Sequence, residues 1–87
     1  MEKEIYAINS NISWKLLKDA VVAVNLDSGA YYTFNYTASL IWQWVEQGKS
    51  QAEIAASLKE QFPDIQTVES DVSDIVKYWL SEKLISK

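Results

Sequence analysis

The residue types able to do chemistry are few in this sequence. Twelve carboxylates stand against eight lysines, and arginine, histidine and cysteine are absent. Without histidine a serine has no ordinary general base, and a metal has no imidazole ligand. Without cysteine neither disulfides nor thiolate ligands are available. Asp71 and Asp74 are three residues apart, so on a helix they share a face. Paired carboxylates can serve acid–base chemistry, but 87 residues leave no room for the cleft that a glycosidase requires. A solvated acidic face is the simpler reading. Gly29 and Gly48, the only glycines, lie too far apart to form a phosphate-cradling loop. No catalytic residue, no metal ligand and no cofactor is expected, and the chain is not expected to be an enzyme.

Charge narrows the partners further. The net charge is −4, with no guanidinium to pair with phosphates or read base edges. Nucleic acid is therefore not an expected partner. No apolar run reaches the ~18–20 residues needed to span a bilayer. The amino end, Met-Glu-Lys-Glu-Ile-Tyr, has neither the basic nor the apolar region of a secretory signal. The expected setting is cytoplasmic, without membrane association.

The elements that position these residues follow from a change of hydrophobic period near Asn35. Nearly half the residues are hydrophobic, enough for one modest core, and a single domain over residues 1–87 is expected. Ile12, Trp14 and Leu16 alternate with polar neighbours, as in a half-buried strand. Lys18-Asp19 suits a turn, and Ala20 to Leu26 is a valine-rich second strand. Asp27-Ser28-Gly29 supplies another turn, and Ala30 to Asn35, centred on Tyr31-Tyr32-Thr33-Phe34, is the third strand. Short connections make these an antiparallel meander.

Beyond Asn35 the period is helical. Asn35 or Thr37 can cap a first helix whose apolar face runs from Ala38 to Val45, with Gly48 just past its end. Ser50 and Glu53 form a capping box for a second helix, striped by Ile54, Leu58 and Phe62 and closed by Pro63. Thr67 can cap a third, whose core stripe is Val68, Val72, Val76 and Trp79. Leu84-Ile85 reads as an apolar tail folded back on the core. The fold class is α+β: a three-stranded antiparallel meander followed by three helices (βββααα), an arrangement like that of a winged helix.

Two kinds of function fit this order of elements. A winged-helix DNA-binding regulator is the alternative, but the third helix would bring Glu69, Asp71 and Asp74 to the phosphates. The favoured reading starts from the third strand. As the last strand of a meander it keeps one open edge, and Ala30 to Phe34 carry no lysine, proline or other charge to protect it. Such an edge can take up another polypeptide as an added strand. Asp71, Ile75 and Tyr78, one step round from the core stripe, border the other side of the groove. An apolar centre beside an acid suits a guest with apolar anchors and a nearby Lys or Arg.

Val21-Val22-Ala23-Val24, then Gly29-Ala30-Tyr31-Tyr32-Thr33-Phe34-Asn35, Ala38 and Ile41-Trp42, resemble the PqqD-like proteins. So do Asp71-Val72 with the apolar helix behind them and the closing Leu84-Ile85. The resemblance covers about Trp14 to Ile85; its motifs are mostly hydrophobic, and their order and spacing carry it. It implies a leader-recognition domain of ribosomally made, post-translationally modified peptides, with three strands followed by three helices. The precursor's leader peptide is then the partner, added to the third strand in a groove closed by the third helix. A leader peptidase or other modifying enzyme of the same pathway receives it. The matching positions are Ala30, Tyr31, Tyr32, Thr33 and Phe34 on the strand, and Asp71, Val72 and Ile75 on the helix. A chain of this size without a catalytic fusion resembles either the leader-binding protein of a lasso-peptide pathway or the chaperone of a radical-SAM enzyme, and the lasso setting is favoured.

Overall fold

A computed structural model describes residues 4–87. The strands, numbered in chain order, are β1 (Ala7–Ile8), β2 (Ile12–Leu17), β3 (Ala20–Asn25), β4 (Tyr31–Thr33) and β5 (Ile85–Ser86). The helices α1 (Tyr36–Glu46), α2 (Gln51–Gln61) and α3 (Val68–Ser81) lie between β4 and β5. The three expected strands are β2, β3 and β4, which form an antiparallel sheet in that order. The expected α+β architecture is thus observed, with one addition. β1 and β5, one near each end of the described chain, pair with each other as a second small antiparallel sheet.

Turn chemistry sets the register of the main sheet. Lys18, in the β2–β3 turn, has φ +56°, and Gly29, before β4, has φ +79°. Glycine takes that conformation without the Cβ penalty. Asn25 shapes the second turn: its side-chain oxygen accepts from the N–H groups of Asp27 and Ser28, at 2.9 and 3.1 Å. With the turns fixed, Ala23 pairs with Trp14 on one side and with Tyr32 on the other.

Alternation then decides which side chains enter the core. Ile12, Val21, Ala23 and Phe34 are buried, while Ser13, Lys15 and Thr33 are exposed. The inner face meets the helices around Trp42 and Trp79, whose rings stand edge to face at 5.1 Å. Phe34 tilts against both, at 5.2 and 5.1 Å. The buried α3 residues are Val68, Val72, Val76 and Trp79, the stripe expected from the sequence.

Caps delimit the helices. Asn35 Oδ1 accepts from the Ala38 N–H at 2.8 Å, and the Ser50–Glu53 capping box is formed in both directions. Gly48, with φ +86°, follows α1. Thr67 precedes α3 but makes no capping bond; its hydroxyl donates to Asp71 Oδ2 instead, at 3.0 Å. Of the amino-terminal arm, Met1 to Lys3 fall outside the described residues. Ile5 bridges to Ser50, and β1 contacts α1 as well as β5, so this part of the arm lies along the helical side. Leu84 and Ile85 are buried, as expected for the apolar tail.

Candidate functional site

β4 is an edge strand because the sheet ends with it. Its inward bonds are defined by two contacts: the Asn25 N–H donates to the Ala30 carbonyl at 2.8 Å, and the Phe34 N–H to the Val21 carbonyl at 2.9 Å. In an antiparallel ladder successive residues turn their N–H and C=O groups to opposite sides. Tyr32 therefore turns both groups to β3, as Ala30 does its carbonyl and Phe34 its N–H, and Tyr31 and Thr33 direct theirs to the open edge. Two donors and two acceptors stand there without a strand to pair with.

Side chains alternate on the other axis. Phe34 is buried and Tyr32 half-buried on the helical side, whereas Tyr31 and Thr33 are exposed. Tyr32 reaches the end of α3, where its hydroxyl donates to Glu82 Oε1 at 2.9 Å. That hydrogen bond to a carboxylate, with minor contributions from desolvation and from the Glu82 charge, raises the phenol above its ordinary pKa. Ser39 holds the other end of the strand. Its hydroxyl accepts from the Val21 N–H at 2.8 Å and donates to the Phe34 carbonyl at 3.3 Å, tying β3 and the exit of β4 to α1.

Between β4 and α3 runs a groove of about 700 Å³. One wall is Tyr31, Tyr32 and Thr33; the other is Asp71, Asp74, Ile75 and Tyr78. These four α3 residues are spaced at i, i+3, i+4 and i+7, so they form one continuous ridge. Phe34 and Trp79 lie between the walls, and Asn35, Thr37 and Ala38 close the end near α1. Tyr32 contacts Glu82 while Phe34 packs on Trp79, so β4 and α3 run in opposite directions along the groove. Among the described residues, its only charged lining is the two aspartates.

Seven of the nine residues expected at a site therefore come together here: Tyr31, Tyr32, Thr33, Phe34, Asp71, Ile75 and Tyr78. Ala30 stands just outside, its carbonyl taken by Asn25. Val72 is fully buried and supports the ridge from beneath rather than lining it. Sequence reasoning left out Asp74, Trp79, Asn35, Thr37 and Ala38. Asp74 was legible from its spacing to Asp71 and Tyr78, but the solvated-face reading set it aside. Trp79 was counted as core, and it is both core and groove lining. The three residues near α1 became visible only once the strand was seen to lead directly into the helix.

Comparison with known proteins bears on this arrangement. Residues 20–85 match the family described as coenzyme PQQ synthesis protein D (PqqD). The chain belongs to the PqqD family. This PqqD-family chain also superimposes on two solved structures. One is TbiB1 in complex with the TbiA(beta) leader peptide: TM-score 0.87, 26% identity, covering 92% of this chain and 94% of that one. The other is lasso peptide synthetase B1 complexed with the leader peptide: TM-score 0.85, 24% identity, covering 94% and 98%. At that lower identity the second likeness concerns the fold. No curated protein matches this PqqD-family chain.

Proposed function

We propose that this chain is a non-catalytic adaptor of peptide biosynthesis and is one leader-recognition unit. It binds the leader segment of a ribosomally made precursor as an added strand on β4, against α3, and presents it to a leader peptidase or other modifying enzyme. The observation that carries this reading is the open edge at Tyr31 and Thr33 facing the α3 ridge across the groove. Membership of the PqqD family and the likeness to TbiB1, itself described with a leader peptide, support it. A lasso-peptide pathway is the favoured setting for the same reason.

The nucleic-acid alternative fares poorly on the same surface. The exposed side of α3 presents Glu69, Asp71 and Asp74, which repel phosphates.

Titration with a synthetic leader from a neighbouring precursor gene tests the proposal. Sub-micromolar binding is expected, and Thr33→Pro should abolish it by removing an edge donor that β3 does not use. Asp71→Lys should weaken it. If a correctly folded Thr33→Pro variant, checked by circular dichroism, binds as tightly as the parent, strand addition at β4 is wrong.

A further inference from the structure

Resting on the reading of this groove as the site of an added strand, we infer that it selects guests by a two-position code. The code is an apolar residue and a lysine or arginine, two residues apart. The argument begins with cross-strand geometry. A guest residue directly opposite a β4 residue points to the same face of the sheet. A guest residue opposite Phe34 and the one two positions beyond it, past the end of β4, therefore both project toward the helices, while the one between them projects to the outer face.

These two positions meet different parts of the α3 ridge. β4 and α3 run in opposite directions, with Phe34 against Trp79 and Tyr32 at Glu82, so the position opposite Phe34 adjoins the turn that carries Ile75 and Tyr78, and the position two residues beyond it adjoins the preceding turn, with Asp71 and Asp74. The spacings agree. The midpoints of these two pairs are four residues apart on α3, roughly 6 Å at ~1.5 Å per residue. Two residues of a strand span roughly 6.7 Å. One guest side chain can thus sit against Ile75 and Tyr78 while the next on that face reaches the carboxylates.

Charge gives the second position its chemistry. Among the described residues the Asp71 carboxylate is engaged only by the Thr67 hydroxyl, and the Asp74 carboxylate makes no hydrogen bond or ion pair. Lys77, the nearest cation in sequence on α3, does not line the groove. A guest cation would complement two carboxylates that the fold leaves unneutralised. In a guest antiparallel to β4 the order is basic-x-apolar; in a parallel guest it is reversed.

Selection of a displayed library of random ten-residue peptides on the immobilised full chain tests this. Enrichment of a basic residue two positions from an apolar one is expected. A fluorescein-labelled peptide of that pattern should bind roughly fivefold to thirtyfold more weakly to the Asp71→Asn, Asp74→Asn double variant at low salt, as for two exposed ion pairs. Replacing its basic residue by alanine should give a peptide that no longer distinguishes the two proteins. The inference is overturned if selected peptides show no basic preference, show it at another spacing, or keep it on the double variant. N-methylation of the guest amides separates this from failure of the site itself. If no selected peptide loses binding on N-methylation, guests do not add as strands, and the groove reading falls along with the code.

Discussion

Tyr32 joins the edge strand to the end of α3 through a single oxygen, and that oxygen makes the contact sensitive to pH. Its phenol proton is held by Glu82, so it ionises above the ordinary value of 10.0. A phenol whose folded pKa is raised contributes stability in full below its unfolded pKa and loses it as pH rises through the folded value. The contact is therefore intact at neutral pH and lost only in strong alkali. Tyr6 is raised too, chiefly by burial and then by Glu4. Titration of phenolate absorbance should show tyrosines ionising late in the parent, with one fewer in Tyr32→Phe. A variant that loses an early-titrating phenol instead would contradict the assignment.

At the scale of elements, the edge works only if β4 is held at the correct distance from α3. Phe34 on Trp79 and Tyr32 on Glu82 set that distance, and Ser39 on α1 fixes the end of the strand, since one buried hydroxyl serves both the Val21 N–H and the Phe34 carbonyl. Alanine there leaves a buried donor without a partner, which costs about 1–3 kcal/mol. Ser39→Ala should accordingly lower the urea midpoint with little change in m-value. A midpoint indistinguishable from the parent would show that water or a backbone shift replaces the hydroxyl. Ser39 was not singled out from the sequence, because a serine on an apolar helical face gives no sign of which backbone groups it will meet.

At the scale of the whole molecule, the amino-terminal arm stabilises the fold from the side away from the groove. Tyr6 is only 4% exposed, and its hydroxyl donates to Gln51 Oε1 at 3.1 Å. β1 pairs with β5, whose Ile85 is also buried. Removing a buried aromatic side chain costs about 3 kcal/mol or more, so Tyr6→Ala should lower Tm by more than ~10 °C in a chain of this size. Peptide affinity measured well below Tm should stay unchanged, because no described residue of the arm lines the groove. A parallel loss of affinity would show that the arm shapes the groove.

Local physics made much of this molecule legible from its sequence. Period-two alternation identified β2, strand propensity between turn residues identified β3 and β4, the helical stripes predicted the buried residues of α3, and Gly29, Gly48, Asn35 and the Ser50–Glu53 box marked the element ends. Those signals depend on residues a few positions apart, which the sequence displays directly. The β1–β5 pair joins residues 77 and 79 positions apart through two short stretches, and neither is long enough to show a period. The groove likewise required tertiary structure. Sequence alone suggested an open edge and an acidic ridge, but only packing around Phe34, Trp42 and Trp79 sets them face to face. The same packing makes the exposed Asp74 part of the groove lining and buries Val72 beneath it. Which face of a helix meets which edge of a sheet is decided by long-range burial, and nearest-neighbour patterns do not record it.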